Sequence, residues 1–83
     1  MTRIGVVGIV LKAEKDIVNS VQNVITQHSD IITGRMGIPD KDCGINTISL
    51  IVKGTNEQIP ALTGKLGRIK DVSVKSAVVT MEV

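Results

Sequence analysis

Spacing of apolar residues predicts the first three elements of secondary structure. Arg3–Leu11 is a run of branched aliphatic residues that is too short for a helix, and it predicts a buried strand. From Ile17 to His28, apolar residues recur at helical spacing, which predicts an amphipathic helix that ends at Ser29-Asp30. Ile31–Gly37 predicts a second strand, which its glycines weaken.

A turn region, Ile38–Gly44, separates these elements from a second set. Ile45–Lys53 alternates between apolar and polar residues and predicts a third strand. Thr55 is followed three residues later by Gln58, which is the pattern of a capping box, so a second helix is predicted to begin there. Gly67 is expected to end that helix in the left-handed conformation.

A fourth strand over Val72–Met81 completes the order β-α-β-β-α-β. Two βαβ halves with right-handed crossovers interleave into a four-stranded antiparallel sheet with both helices on one face. We therefore predict an α+β, ferredoxin-like fold. Because a second core would not fit into 83 residues, we expect residues 1–83 to form one domain.

The sheet face away from the helices is also predicted to be apolar, because both alternating sets of the first strand are aliphatic. A bare aliphatic patch of that size is unusual on a monomer. The sequence therefore predicts a homo-oligomer, either with a second subunit on that face or with sheets joined at their edges. Some of the following residues are expected there: Val7, Ile9, Leu11, Ile51, Ala77 and Val79.

Composition argues against several functions that this fold supports. Ile and Val occur twelve times each, whereas Phe, Trp and Tyr are absent, so no aromatic platform can stack on bases. The net charge is +2 with no basic stripe, and we expect no direct contact with nucleic acid. No apolar run of 18 residues and no signal peptide is present, and the single cysteine suits a reducing compartment. A cytoplasmic protein without membrane contact is expected.

His28 and Cys43 are the only imidazole and thiol groups, and they are weak candidates for metal ligands. A metal site needs several converging ligands, and these two are unhelpfully spaced. The position of His28 at a helix C-terminus, where a cation is favourable, accounts for it without a metal. Cys43 lies in a polar turn, which also requires no metal. We therefore expect no metal. A metal-responsive sensor, with His28 and Cys43 as ligands between subunits and help from Asp40 or Asp42, stays open as an alternative.

No catalytic arrangement is visible in the sequence. A nucleophile needs a base that is itself oriented, and no third residue accompanies His28 and Cys43. An enzyme of the acylphosphatase type would share the fold, but it needs an arginine in the first strand–helix loop, and Lys12–Lys15 contains none. We expect a protein that is not an enzyme and that uses no cofactor.

Four stretches of the chain carry a resemblance to a known family. They are Arg35–Pro39, Leu50–Gly54, Ala61–Gly67 and Val72–Lys75. They resemble the iron-only hydrogenase system regulators, a small bacterial family of stand-alone ACT-like domains, over almost the whole chain. The resemblance implies a regulatory role. In ACT domains, small effectors such as amino acids bind where subunits meet, near the first strand–helix loop.

A more distant resemblance is to the C-terminal domain of nickel-responsive repressors. It rests on His28–Ile32, on the spacing from Arg35 to Cys43 and on Val52–Gly54. In that family, two histidines near the end of the second strand and a later cysteine bind nickel between subunits. Here the histidine positions correspond to Arg35 and Gly37, so the resemblance does not imply the nickel site. We also expect no ribbon-helix-helix arm of the kind those repressors have, and we expect that this chain alone does not read DNA.

We therefore predict a non-catalytic regulatory or ligand-sensing module that acts as a homo-oligomer, a dimer or a tetramer. A small-molecule effector is expected, and regulation of transcription would require a protein partner that contacts DNA. Candidate ligand-binding residues are Lys12 and Glu14, which the resemblance to ACT domains implies are near the effector site. Arg35 and Asp40 are further candidates, because an arginine fork suits a carboxylate or a phosphate. The alternative for Arg35 is a solvent-facing residue or a salt bridge to Asp40 or Asp42. A purely structural assembly subunit is the remaining alternative.

Overall fold

The computed structural model describes residues 2–81, which form four strands and two α-helices. A short 3-10 helix at Ser29–Ile31 connects the first α-helix to the second strand. The sheet order is β2-β3-β1-β4, and all neighbouring strands are antiparallel. This is the predicted ferredoxin-like βαββαβ arrangement, which is confirmed. The bounds of the elements are β1 Thr2–Lys12, α1 Lys15–Gln27, β2 Ile32–Asp40, β3 Ile45–Gly54, α2 Gln58–Gly67 and β4 Val72–Met81.

The core lies between one face of the sheet and the two helices. The central strands β1 and β3 supply alternate residues to it, and each helix supplies the inner positions of its apolar stripe. Leu50 and Leu62 have no exposed surface, which is where burial of an aliphatic side chain contributes most. The buried cluster is Val7, Ile9, Leu11, Val21, Ile25, Ile31, Ile48, Leu50, Val52, Ile59, Leu62 and Leu66.

Within residues 2–81, neither helix is long and apolar enough to cross a membrane.

The prediction for the uncovered face was wrong for Val7, Ile9 and Leu11. All three are buried beneath the helices and are at most 1% exposed. The residues of β1 that point the other way are Ile4, Val6, Gly8 and Val10. Side chains of a strand alternate between its two faces, so an assignment that is wrong by one residue places every side chain of the strand on the wrong face. In β1 both alternating sets are aliphatic, and the sequence pattern does not distinguish them. The prediction is confirmed for the remaining residues of the set: Ile51, Ala77 and Val79.

Strand β2 is longer than predicted, because it continues through Pro39 to Asp40. Proline lacks the N–H that a sheet ladder needs, but an edge strand tolerates it. Since β2 pairs only with β3, Pro39 sits opposite Asn46 at the edge of the sheet. The turn between the two strands is reduced to residues 41–44.

The capping box at the start of α2 is present as predicted. The Oγ1 of Thr55 accepts a hydrogen bond from the backbone N–H of Gln58 at 3.1 Å. In return, Oε1 of Gln58 accepts from the backbone N–H of Thr55 at 3.0 Å. Two backbone donors that would lack partners at a helix start are therefore satisfied.

The prediction that Gly67 adopts the left-handed conformation was wrong. Gly67 is the last residue of α2, and Arg68 follows it with φ −83°. The helix closes with a hydrogen bond from the N–H of Ile69 to the carbonyl of Leu66 at 3.2 Å, a tight last turn that needs no positive φ. The left-handed residue is Asp71, with φ 63°, immediately before β4.

Candidate functional site

The exposed large apolar side chains gather on the sheet face opposite the helices, which we call the open face. Within residues 2–81, the large apolar side chains with the highest exposure are between 42% and 63% exposed. All of them belong to the strand positions that point away from the helices, and Val6 lies between Ile51 and Ala77 on the neighbouring strands. The apolar surface is therefore continuous across the sheet. Its members are Val6, Val10, Met36, Ile38, Ile51, Val79 and Met81.

The centre of the open face carries two small residues, Gly8 and Ser49, beside the exposed Lys75 of β4. Gly8 pairs with Ser49 on one side and with Lys75 on the other. A Cβ at Gly8 would meet only the Lys75 carbonyl, at 3.8 Å, so the glycine leaves an unobstructed shallow area. From the spacing between strands, the face is roughly 15 Å wide between the axes of the two outer strands. From the rise per residue, it is roughly 20 Å long between Ile4 and Val10.

A β-bulge in β2 decides which of its side chains reach the open face. Ile32 and Gly34 are two residues apart, yet they pair with consecutive residues of β3, so Thr33 is an extra residue. An extra residue exchanges the faces of everything that follows it in the strand. Consequently Arg35 points to the helix side, and its neighbour Met36 points to the open face.

Arg35 lies in a groove between α1 and β2. Its Nη2 donates a hydrogen bond to Oε1 of Gln22 at 2.7 Å. Among the described residues, the ion pair within 4.0 Å is Lys12–Glu14, and no carboxylate is paired with Arg35. The alternative of a salt bridge from Arg35 to Asp40 or Asp42 was therefore wrong, because the bulge turns the guanidinium towards α1.

Two shallow cavities follow this groove, one on each side of Arg35. The first has a volume of about 330 Å³ and is lined by residues that include Ile25, Ser29 and Ile32. The second has a volume of about 200 Å³ and includes Gln22 and Asn46 over an apolar floor. Arg35 lines both cavities, so its remaining donors can reach a molecule in either.

Lys12 is the last residue of β1, and Glu14 immediately precedes α1, at the end of the sheet where the β2–β3 turn lies. Their Nζ and Oε1 atoms are 3.5 Å apart, and both side chains are more than half exposed. An ion pair of this kind contributes little stability in water. The loop between β1 and α1 is fixed by its backbone, since the N–H of Ala13 donates to the carbonyl of Gly44 at 2.9 Å.

Asp40 holds the turn between β2 and β3. Its Oδ1 accepts hydrogen bonds from the backbone N–H groups of Asp42 at 3.1 Å and of Cys43 at 3.2 Å. A carboxylate that accepts from its own turn is a common local motif. Asp40 lies near Lys12, because both residues pair with Ile45 of β3. Arg35 lies five residues before Asp40 and on the helix side of the sheet.

A third cavity, of about 520 Å³, lies beside the β1–α1 loop. Lys12, Cys43, Asp71 and Ser73 are among its lining residues. The carbonyl of Asp71 accepts from the N–H of Lys12 at 3.2 Å, so the left-handed residue before β4 helps to close this end of the sheet. Lys12 and Cys43, which were separate candidates in the sequence, thus share one cavity.

His28 and Cys43 lie at opposite ends of the sheet. His28 follows α1, next to the 3-10 helix whose Ile31 contacts Gly54, whereas Cys43 is exposed in the β2–β3 turn. Strand β3 separates the two ends, a length of roughly 30 Å. One copy of the chain cannot bring both to the same ion. Residues 2–81 contain no group of three or more His, Cys, Asp or Glu that could hold a metal.

Sequence reasoning missed Gln22, Asn46 and Asp71. Gln22 stands within the helical pattern, but its partner depends on the bulge at Thr33, for which the only sequence signal is the neighbouring glycine. Asp71 had a signal, because aspartate tolerates the left-handed region better than most residues do.

Comparisons with known proteins assign the family. A family model described as "TM1266-like: Iron-only hydrogenase system regulator, putative" matches residues 3–76. The structure of the protein TM1266 from Thermotoga maritima is 30% identical with a TM-score of 0.93, and the match covers 96% of this chain and 100% of that one. A search of curated proteins found no match.

Two more distant structures share the fold. The ACT domain of GTP pyrophosphokinase from Chlorobium tepidum is 23% identical, with a TM-score of 0.77 and coverage of 93% of this chain and 100% of that one. The C-terminal domain of MgtC from Mycobacterium tuberculosis is 15% identical, with a TM-score of 0.70 and coverage of 92% and 86%. The fold is thus ACT-like, and from the match over residues 3–76 the chain belongs to the TM1266-like family, whose description is that of an iron-only hydrogenase system regulator.

Proposed function

We propose that this protein is a non-catalytic regulatory module of an iron-only hydrogenase system, which acts in the cytoplasm as a homo-oligomer and responds to a small-molecule effector. The family description supports the regulatory role, and the likeness to a solved ACT domain supports the module type. A protein partner would supply any contact with DNA, since the chain has a net charge of only +2 and no basic stripe.

The observation that carries the proposal is the clustering of exposed aliphatic side chains on one sheet face. Side chains such as Val6 and Val79 are 44% and 60% exposed there, whereas the helix side of the sheet is covered. An exposed apolar patch that extends across a whole sheet marks an interaction surface.

A second copy of the chain is the occupant that fits the open face. Apart from the exposed Lys53 and Lys75, the face carries mainly aliphatic and small side chains and no aromatic residue, and it is flat around Gly8 and Ser49, as the inner face of a β-sandwich is. A standard interface needs about 800 Å² from each partner, so a second copy must cover the full length of the four strands and not only the stretch from Ile4 to Val10. Both β2 and β4 are free edges of the sheet, so edge-to-edge joining is the second geometry to test.

For the effector, Lys12, Glu14, Asp40 and Arg35 remain the candidate contacts. Lys12 lines the cavity beside the β1–α1 loop, and Arg35 lines both cavities of the α1–β2 groove. Glu14 and Asp40 already have partners within the chain, which makes them weaker candidates than Arg35.

A complementation experiment tests the regulatory role. The host strain that lacks this protein is supplied with the wild-type chain, with Val6→Glu, or with Asn19→Glu, which adds the same charge on the exposed side of α1. We expect the wild type and Asn19→Glu to restore the hydrogenase level of the parent strain, and Val6→Glu to fail at equal protein abundance. An unchanged hydrogenase level in the deletion strain contradicts the proposed role.

A further inference from the structure

We propose that the groove between α1 and β2 binds a small organic monocarboxylate through the guanidinium of Arg35. This inference rests on the proposed function, because it names the class of effector to which the module responds. It concerns a site that is separate from the β1–α1 loop and that borders the open face only at Ile38 of β2.

The first argument is the state of the Arg35 guanidinium. A guanidinium has five N–H donors in a rigid fork, and within the described residues one of them is used, by Oε1 of Gln22 at 2.7 Å. An amide carbonyl orients the side chain but does not neutralise its charge. The remaining donors therefore keep the geometry and the charge that a carboxylate recognises with two parallel hydrogen bonds.

The second argument is the charge of the groove. Of the residues that line its two cavities, Arg35 alone is charged. A single cation matches a ligand with a single negative charge, whereas a phosphate dianion would leave half of its charge unpaired. A carboxylate is therefore favoured over a phosphate.

The third argument is the chemistry of the walls beside the guanidinium. Ile25 and Ile32 line the larger cavity, and Thr26, Ser29 and Thr33 add three hydroxyl groups. Its volume of about 330 Å³ is at the small end of the range for ligand pockets. An anion with a short aliphatic body can place its carboxylate on Arg35 and its chain against the isoleucines.

The β-bulge provides the positioning. Without the extra residue Thr33, Arg35 would point to the open face and Met36 to the groove. Bulges of this kind re-aim side chains next to functional sites. The same local feature thus places an apolar side chain on the open face and a cation in the groove.

An NMR titration of the ¹⁵N-labelled full chain tests the proposal, with isovalerate as the probe. We expect saturable shifts of the Arg35 Nε–H and of the Gln22 side-chain amide, and smaller or no shifts at the distant turn around Asp42. Isoamyl alcohol, which has the same body without the charge, should give no saturable shift. Inorganic phosphate should bind more weakly than isovalerate.

The variants are Arg35→Met, Arg35→Lys and, as the matched control, Arg68→Met beside the end of α2. We expect Arg35→Met to lower isovalerate affinity at least tenfold, Arg35→Lys to lower it by less, and Arg68→Met to leave it unchanged. Arg35→Lys keeps the charge and loses the fork, so it also serves if Arg35→Met does not fold. Binding unaffected by both Arg35 variants, tighter binding of phosphate, or no saturable shift with isovalerate overturns the proposal.

The mass of each sample by light scattering separates the two proposals. An oligomer that does not bind isovalerate means that the carboxylate site is wrong and leaves self-association in place. A monomer that binds it through Arg35 upholds the site and contradicts the proposed assembly.

Discussion

Oε1 of Gln22 and Nη2 of Arg35 lie 2.7 Å apart, and this is the one hydrogen bond between two side chains among residues 2–81. The two residues are 13 positions apart, and their contact ties the edge strand β2 to α1. It exists because Thr33 is an extra residue in β2, which turns Arg35 away from the open face. The candidate ligand groove and the apolar surface therefore share one structural cause.

The alternation of β3 predicts opposite results for two neighbouring alanine substitutions. Leu50 is fully buried, so Leu50→Ala should lower the free energy of unfolding by about 2–5 kcal/mol through lost burial and a cavity. Ser49 lies on the open face, where Ser49→Ala removes no buried methyl group, so it should lower the free energy of unfolding far less than Leu50→Ala does. Urea denaturation at equal protein concentration measures both, and equal destabilisation would contradict the assigned faces.

The capping box predicts a cost for Thr55→Ala. Its Oγ1 accepts from the backbone N–H of Gln58, and loss of an N-terminal cap costs about 1 kcal/mol of the free energy of unfolding. Thr55→Ser keeps the hydroxyl and should cost much less. Chemical denaturation of the two variants checks this, and an identical loss in both would show that the methyl group, not the hydrogen bond, matters.

Two glycines predict opposite signs for the same substitution. Gly44 has φ +67° and open space around it, so Gly44→Ala should be destabilising by about 1 kcal/mol through backbone strain alone. Gly64 lies within α2, also with open space, so Gly64→Ala should be stabilising by about 0.5–1 kcal/mol. Thermal denaturation followed by circular dichroism measures both, and a stabilised Gly44→Ala variant would contradict the turn geometry.

Arg35 and Gly37 stand where a nickel site of the repressor type needs imidazoles, and His28 and Cys43 are far apart in one copy, so we predict no specific nickel or zinc site. Calorimetric titration with nickel should show no stoichiometric binding in the sub-micromolar range. Any small heat of weak, non-specific binding should be the same in the wild type and in Cys43→Ala. Tight binding that Cys43→Ala abolishes would instead support ligation between subunits.

The sequence predicted the element order and the core positions of β3 and both helices, because alternation, helical spacing and the Thr55–Gln58 box all point to the same fold. It could not assign the faces of β1, where both alternating sets are aliphatic and only contact with the helices decides. It also could not orient Arg35, since a bulge depends on how β2 pairs with β3 and not on local composition. The position of the left-handed residue at Asp71, rather than Gly67, followed from how α2 closes.

The measurement that tests the central claim most directly is the solution mass of the wild type and of two open-face variants. Light scattering at micromolar concentration should give the wild type at least twice the chain mass of 8.8 kDa. Val6→Glu and Ile51→Lys place opposite charges on the open face, and both should give folded monomers, while Asn19→Glu on the outer side of α1 should keep the wild-type mass. A wild type that is monomeric at every concentration measured, or variants that keep its mass, would contradict the account.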